Sequence, residues 1–567
     1  MTPSPVTPVV PQVGIWEFFF ERPSLPFSQD HVIFRSATTD SQYTYRQVQH
    51  RAGQFGRALQ AQWGWCKGDI LMVMAPNDID TPPVIWGCHS RGGIVAPVNP
   101  ELSARELRHQ LEVSRVRGLI VHPQCGATAV EAAHLAKFPI DRILLLRDDT
   151  PTEKRHGILT VEQFVAEVER ASNVELQRVE IEQDKDIAFL IYSSGTTGRP
   201  KGVMVSHRNV VAAVMLQASV DGPHVNWRRD RTLAVLPTYH IFGLICLVHL
   251  PIYLGTTTFY MDKFDLATFC NLTQEHRISH AYVAPPIVLH LAKNNLVRDY
   301  DLRSVRMITS GGAPLAANLI TELHQQRHIP VRQAYGLSET TSISHVQQWD
   351  KWMDGMGSNG PPIPGVEARF ITPDGRTAAT GQEGELCVRG PTVFKGYRDE
   401  PDLTAACMTP DGWFKTGDLG YEDERGNMFI TDRLKDLIKF KGYQVAPAEL
   451  EDLLLEHKAV RDAAVIGVMN HDLASEVPLA YIVAKAGQPE NEDTAQMILD
   501  HIKDRTVSYK HIRGGIVFSK EIPKSPSGKI LKRKLLEYAV SKGGYLFQTQ
   551  LPVDATAKPQ QHGLQAG

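Results

Sequence analysis

"YSSGTTGRPKGV", Tyr192 to Val203, sets two serines, two threonines, three glycines and one lysine in consecutive residues, directly after the apolar run "IAFLIYS". Glycines and hydroxyls in succession suit a loop whose backbone N–H and side-chain O–H groups surround phosphate oxygens. Gly195 and Gly198 let a backbone approach closely; Ser193, Ser194, Thr196 and Thr197 supply donors, and Lys201 supplies charge. A solvated hairpin turn needs none of these. A P-loop needs GxxxxGK[ST] opening a helix, whereas here Pro200 precedes the lysine and Gly202 follows it. "GVMVSH" then has the alternation of a strand, so the loop is predicted to join strand to strand. The Gly528-Lys529 pair lacks the first glycine of the P-loop pattern.

Outward from this loop, "DILMVMAPN" (Asp69 to Asn77), "GIVAPVNP" (Gly93 to Pro100), "GLIVHP" (Gly118 to Pro123) and "RILLLRDD" (Arg142 to Asp149) are predicted as buried strands. Between them "ARELRHQLEVSR" spaces Leu107, Leu111 and Val113 as a helix does. Such alternation predicts largely parallel α/β sheets. "TPDGRTAATGQEGELCVRG" brings tight turns and short strands, the pattern of a small β-barrel lobe. After the cation-rich "DRLKDLIKFKGYQVAP" (Asp432 to Pro447), the proline-led "PAELEDLLLEHKAV" predicts an amphipathic helix, and "DAAVIGVMN" and "PLAYIVAKAG" predict strands of a small α+β unit.

At 567 residues the chain is too long for one hydrophobic core. With 42% hydrophobic and 22% charged residues it has the composition of a folded globular protein. A net charge of −3 gives no general pull toward nucleic acid. Seven scattered cysteines without a CxxC pair predict core thiols and a cytoplasmic setting. The apolar stretch from Ile241 to Gly255 contains His249 and Pro251 and, at about 15 residues, falls short of the roughly 20 that span a bilayer; buried core is predicted, with no transmembrane segment. The proline-rich start has no signal-peptide pattern.

At the glycine-hydroxyl loop the sequence resembles the adenylate-forming superfamily: acyl- and aryl-CoA synthetases, luciferases and the adenylation domains of peptide synthetases. The resemblance extends over "YSSGTTGRPKGVMVSH", "LPTYHIFGL", "SGGAPL", "QAYGLSET", "GWFKTGDLG", "DRLKDLIKFKGYQVAPAELE" and "PKSPSGKILKRKL", in the family's order from Tyr192 to Leu535. "LIKFKGYQVAPAELE" is similar to the 4-coumarate–CoA ligase-like enzymes. The resemblance implies an α/β fold: a large N-terminal domain of two α/β subdomains plus a small β-barrel lobe, and a smaller mobile α+β C-terminal domain. The expected limits are a disordered tail over 1–13, the N-terminal domain over 14–433, the C-terminal domain over 434–545 and a disordered tail over 546–567.

It also implies a two-step reaction. A carboxylate attacks the α-phosphate of ATP to give an acyl-AMP and pyrophosphate; a thiol, usually that of CoA, then displaces AMP. By resemblance Lys529 is the adenylation lysine, between acyl carboxylate and α-phosphate, where cations must converge on developing charge. Asp418 matches the acceptor of the ribose hydroxyls and Arg433 a second ribose and phosphate contact. Tyr335 matches the residue stacked on adenine, Ser338 an α-phosphate contact, and Glu339 the ligand of Mg2+. Gly312, Ala313, Gln333, Ala334 and Gly336 complete the expected nucleotide site. His240 matches the histidine at the mouth of the acyl site; taken alone, a histidine among apolar residues is more often a core residue. Lys435 matches the hinge, and Lys439, Lys441, Gly442 and Gln444 the segment that meets nucleotide or CoA after rotation. Lys263 matches a CoA-phosphate contact, with a solvent-facing lysine as the alternative for Lys263 and Lys439.

Many phenolic-acid ligases carry tyrosine two residues after the gating histidine, where this chain has Phe242. With Gly243, Ala284, Gly311, Ala334 and Val346, and further Cys246, Val283 and Pro285, the expected wall is small and apolar, which implies a hydrophobic carboxylic acid. Two alternatives stand beside a CoA ligase: an acyl-AMP ligase loading a separate carrier protein, and a catalytically silent nucleotide-binding protein. The latter predicts loss of Lys201, Glu339, Asp418, Arg433 or Lys529, all of which are present.

Overall fold

The computed structural model describes residues 7–147, 157–170, 179–193, 201–434, 436–440, 443–470, 473, 475–525, 528–541 and 546–547. The chain divides into two compact units: Met1–Ala368 with Cys387–Lys415 and Gly426–Met428, and Arg369–Leu386 with Thr416–Arg425 and Phe429–Gly567. In chain order the strands are β1 (Val32–Ser36), β2 (Gln42–Thr44), β3 (Ile70–Met74), β4 (Ile94–Val98), β5 (Gly118–Val121), β6 (Ile143–Leu145), β7 (Ile187–Ser193), β8 (Lys201–Ser206), β9 (Arg231–Ala234), β10 (Thr257–Tyr260), β11 (His280–Val283), β12 (Met307–Ser310), β13 (Val331–Leu337), β14 (Ser342–Val346), β15 (Glu367–Ile371), β16 (Gly384–Arg389), β17 (Phe414–Glu422), β18 (Met428–Arg433), β19 (Ile438–Phe440), β20 (Tyr443–Val445), β21 (Val460–Asn470), β22 (Ser475–Ala484), β23 (Ile516–Phe518) and β24 (Leu546–Phe547).

Among the described residues, three sheets lie wholly within the first unit. The largest runs β6-β5-β3-β4-β7-β8. Its first five strands are parallel, and β8 returns antiparallel to β7 with Ser193 opposite Lys201. The glycine-hydroxyl loop therefore leaves one strand and enters its neighbour, as predicted. All of β3 is buried, as expected where helices cover both faces of a parallel sheet. The helix Ala104–Ser114 begins at Ser103, which accepts from the Glu106 N–H while its own N–H donates to the Glu106 carboxylate at 2.8 Å. It buries Leu107 and Leu111; Val113, read as sharing their face, is 47% exposed because two helical positions turn a side chain about 200° away. The second sheet has order β2-β1-β10-β9 and the third β11-β12-β13-β14.

The apolar stretch from Ile241 is buried core, as predicted, and includes a π-helical segment at Leu244–His249. Among the described residues no helix is long and apolar enough to cross a membrane.

In the second unit, β21-β22-β23-β24 form a sheet and β19-β20 a hairpin. The helices Pro447–Glu456 and Glu492–Lys503 bury Leu450, Leu454, Ile498 and Ile502 with Val465, Ile482 and Ile516 of the sheet. This is the predicted α+β unit. The sequence predicts an irregular tail from residue 546, whereas Leu546 and Phe547 pair with the open edge of β23. The expected barrel lobe is a four-stranded sheet, β15-β16-β17-β18. No closed barrel forms among the described residues, since four strands are too few to enclose a packed interior.

Five buried histidines make the first unit acid-sensitive. His89 and His207 lie edge to face at 5.5 Å, and the Phe189 ring lies 4.7 Å from His89 and 5.6 Å from His249. Burial lowers His89 well below its ordinary value, His207, His249 and His280 to about 4, and His345 to about 3. An unfolded histidine protonates near pH 6.5, so between roughly 6.5 and 4 the unfolded chain binds more protons and stability falls as pH drops. Asp78, raised to about 6 by burial, opposes this singly. In the second unit the sign reverses: burial raises Asp432 and Asp452 to about 6 and Glu451 to about 7. There the native state holds more protons between about 4 and 7, and acid stabilises. Hydrogen exchange along heat ramps at pH 7 and pH 5 is expected to show the first unit melting at least about 5 °C lower at pH 5, without such a drop in the second. Equal downward shifts of both units would contradict the assignment.

Candidate active site

In the first unit the site is built on β8, β13 and β14. Lys201 opens β8, and residues 395–398 run beside that strand: the Met204 N–H donates to Gly396 O at 3.0 Å, the Lys395 N–H to Met204 O at 2.8 Å and the Arg398 N–H to Gly202 O at 2.8 Å. This pairing sets the Tyr397 ring 5.4 Å from the Lys201 ammonium, a cation–π distance. The Tyr397 hydroxyl donates to Glu339 Oε1 at 2.8 Å. Burial, and then the Glu339 carboxylate, hold that phenol well above its ordinary range, so it stays a donor. Lys201 and Glu339 thus meet on one tyrosine that the sequence reading does not single out. Its only local signal is a Gly-Tyr pair before the proline-led helix Pro401–Cys407.

Glu339 sits in the short 3-10 turn Ser338–Thr340 after β13. Thr341 and Ser342 follow with φ of 51° and 83°, angles that cost non-glycine residues on the order of 1–3 kcal/mol each. The Thr340 hydroxyl donates to Ser342 O at 2.9 Å, and the Thr341 hydroxyl to Thr392 O at 2.7 Å. The turned Ser342 carbonyl leaves no room at Gly336, where a Cβ would lie 1.9 Å from it. Among the described residues no group of three or more His, Cys, Asp or Glu side chains could cage a metal. A single carboxylate, with phosphate and water oxygens completing the shell, is how Mg2+ is usually held, and Glu339 fits that arrangement.

Most residues expected to face the nucleotide in this unit lie on or just after β12 and β13. The Gln333 N–H donates to Gln347 Oε1 at 2.7 Å and its side-chain amide to Leu315 O at 3.2 Å, while Gln333 Oε1 is buried with no partner among the described residues. Such an acceptor costs about 1–3 kcal/mol, which a donor such as an adenine amino group would offset. Tyr335 lies edge-on to His345 at 5.9 Å, and Gly312 and Ala313 form the turn after β12.

Several residues expected to wall the acyl site lie near one another. Ala334 on β13 pairs with Val346 on β14. A Cβ on Gly311 would lie 3.1 Å from Ala334 O and 3.2 Å from the Phe242 ring. The Gly311 N–H donates to Val283 O at 3.1 Å, next to buried Ala284. Phe242 and Gly243 belong to the short helix Ile241–Gly243, capped by His240, whose Nδ1 accepts from the Phe242 N–H at 3.4 Å; the neutral ring therefore carries its proton on Nε2. Asn77, unremarked in the sequence, fixes the preceding loop by accepting from the Thr238 N–H at 2.8 Å and donating to Ala234 O and Leu236 O.

Phe242 meets Tyr282 edge-on at 6.2 Å. The Tyr282 hydroxyl donates to Asp221, which also accepts from Gln217 at 2.7 Å and from Arg332. Arg332 and Asp221 have side-chain exposures of 0% and 1%. Lys263 is exposed on the turn after β10.

In the second unit Asp418 on β17 is buried and pairs with Arg433 on β18, Oδ1 to Nε at 3.0 Å. The chain turns into Asp418 through Gly417 at φ 74°, whose N–H donates to Glu385 and whose carbonyl accepts from the Leu434 N–H at 2.9 Å. Lys439 is exposed and faces Gln444 across the β19-β20 hairpin. The Lys529 N–H donates to Ser525 Oγ at 3.1 Å and its carbonyl accepts from the Ser525 N–H at 2.7 Å. Ser194, Gly195, Thr196, Thr197, Gly198, Lys435, Lys441 and Gly442 lie outside the described residues, and Ser193 is described only as the end of β7.

Residues 24–398 match the family model of the AMP-binding enzymes, and residues 449–529 that of the AMP-binding enzyme C-terminal domain. A 4-coumarate–CoA ligase of Pinus taeda is 34% identical over 88% of this chain and 90% of its own length. A 4-coumarate–CoA ligase-like protein of Arabidopsis thaliana is 36% identical over 92% of each chain. The crystal structure of ATP-bound MatB from Rhodopseudomonas palustris superposes with a TM-score of 0.80 at 25% identity, covering 93% of this chain and 98% of MatB.

Proposed function

The chain belongs to the AMP-binding enzyme family, and from that premise we infer that it is an ATP-dependent acid–thiol ligase that forms an acyl-AMP and then a CoA thioester. In the first half-reaction a carboxylate oxygen bonds to the α-phosphorus of ATP while the bond to the bridging oxygen breaks, and pyrophosphate leaves. In the second, the thiol of CoA loses its proton to solvent, its sulfur bonds to the acyl carbon, and AMP departs with the electrons of the C–O bond.

The residues divide this work. Lys201 and the loop from Ser193 to Gly198 hold the phosphates, Ser338 contacts the α-phosphate, and Tyr335 stacks on adenine beside Gln333. Glu339 holds Mg2+, which when bound neutralises phosphate charge. Asp418 accepts from the ribose hydroxyls with Arg433 beside it. Lys529 meets the charge that develops between carboxylate and α-phosphate, and His240 orients the carboxylate and then admits the thiol. Lys435 is the hinge for a turn of the C-terminal domain that brings Lys439, Lys441, Gly442 and Gln444, with Lys263, to the phosphates of CoA. The acid is hydrophobic, aliphatic or aryl, because Phe242, Gly311, Ala334 and Val346 offer it carbon. All seven cysteines are free thiols, which supports a reducing, cytoplasmic setting.

The observation that carries this function is the meeting of Lys201 and Glu339 on Tyr397, a cation and a hard acidic ligand at one end of β13 whose Ala334 lies in the apolar wall. A pyrophosphate-release screen over fatty, cinnamic, benzoic and polyketide-like acids tests it, with the thioester product identified by mass spectrometry on CoA and on a carrier protein. Acid-independent release throughout would refute the function. Tyr397→Phe is expected to slow adenylate formation about tenfold, the loss of a hydrogen bond to a charged group, with thermal stability little changed. An unaltered rate would return Tyr397 to a packing role.

A further inference from the structure

In the second unit, the ammonium of Lys532 lies between carboxylates of two separate segments, Asp436 after β18 and Glu451 on the helix Pro447–Glu456. Asp432, at the end of β18, is buried; its carboxylate accepts from the Arg433 N–H at 2.6 Å and from the Ala448 N–H at 3.3 Å, in the first turn of the helix Pro447–Glu456. Glu451, one turn further along that helix, accepts from the Val465 N–H at 2.9 Å. Lys532 Nζ lies 3.8 Å from Glu451 and 3.9 Å from Asp436. The side chains of Lys532, Asp436 and Glu451 are 22%, 24% and 13% exposed, which limits screening of these charges by solvent.

Lys532 also begins the helix Lys532–Ser541, just after the turn that carries Lys529. That turn is closed by the bridge of Lys524 to Ile530 and by the Leu531 N–H donating to Pro523 O at 2.8 Å. The segment carrying Lys529 is thus internally bonded, and Lys532 follows it closely in the chain.

We propose that Lys532 is a positioning residue that couples Asp436, just after the hinge, and Glu451 of the helix Pro447–Glu456 to the turn carrying Lys529, so that the C-terminal side of the hinge and the adenylation lysine move as one body. This rests on the ligase function inferred above. Lys532 from the terminal helix lies between Glu451 and Asp436, and the charges of Asp432 and Asp452 also act on Glu451. Burial pushes Glu451 up to about 7 and Asp432 up to about 6, and Lys532 pulls both down. Without that ammonium, Asp436 and Glu451 lose their common partner.

The test is hydrogen exchange on the full chain, with each half-reaction measured separately on an acid from the screen. In Lys532→Met, the amides of residues 436–440 are expected to exchange at least about fivefold faster, with exchange in β22 and in residues 428–433 unchanged. Adenylate formation is expected to lose about tenfold in kcat with little change in the KM for ATP, and Lys532→Arg to restore both within about twofold. Asp436→Asn, which leaves the buried helix face intact, is expected to give the same local acceleration should Lys532→Met fold poorly. Unchanged exchange beside the hinge, or equal acceleration throughout the second unit, would overturn the coupling. A wild-type chain that makes no adenylate from any acid would refute the ligase function instead, and the exchange data would still decide the coupling.

Discussion

Asp221→Ala is expected to lower the stability of the first unit by about 3–5 kcal/mol, the scale on which buried ion pairs fail when one partner is removed. Asp221 ends the helix His207–Asp221 at 0% exposure. Burial opposes its charge, but Arg332 and hydrogen bonds from Tyr282 and Gln217 hold its carboxyl below the usual carboxylate range. Arg332 is equally enclosed, donating to Thr309 Oγ1 at 2.9 Å with its guanidinium 5.0 Å from the Trp349 ring. Removing the aspartate leaves a guanidinium with no counter-charge and the Tyr282 hydroxyl with no acceptor. Asp221→Leu with Arg332→Met removes both charges and is expected to recover much of the loss. Denaturant titration of the single and double variants gives the coupling energy. Additive losses would show that the pair does not act as a unit. Because Tyr282 meets Phe242, loosening in Asp221→Ala is also expected to raise the KM for the acid more than that for ATP.

The second large effect is catalytic. Lys529→Ala is expected to reduce adenylate formation by about two to three orders of magnitude, the range for loss of a group that stabilises transition-state charge. Thioester formation from supplied acyl-AMP is expected to stay close to wild type, because that step no longer builds charge at the α-phosphate. The turn at Ser525–Lys529 is bonded through backbone atoms and the Ser525 hydroxyl, so the variant keeps its local fold. Pyrophosphate exchange and single-turnover thioesterification separate the two steps. Adenylate formed at near wild-type rate would assign the role of Lys529 elsewhere.

The parts of this molecule legible in the sequence are those written in consecutive residues. The buried strands of the parallel sheet appear as short apolar runs, and the strand–loop–strand nature of the glycine-hydroxyl segment follows from Pro200 and Gly202 beside Lys201. Part of the expected apolar wall is equally legible, since Phe242, Gly311 and Ala334 sit in recognisable motifs, and Ala334 then pairs with Val346 and lies against Gly311. Tyr397 was not, because its role arises only when its segment lies along β8 and reaches Glu339. Asp221 and Arg332 were hidden for the same reason: an acid and a base 111 residues apart leave no periodic trace. The barrel reading failed because turns and short strands signal a sheet but not its closure.

The Ser193–Lys201 register makes the parity of β8 part of the chemistry. Side chains on a strand alternate between faces, so slipping the pairing by one residue would invert all of them. Length changes confined to the span between Ser193 and Lys201 leave that alternation intact. One residue added inside β8 would instead turn the ammonium away from its aromatic neighbour while leaving composition and hydropathy almost untouched. Homologous chains should therefore vary in length before this strand and never by an odd count within it.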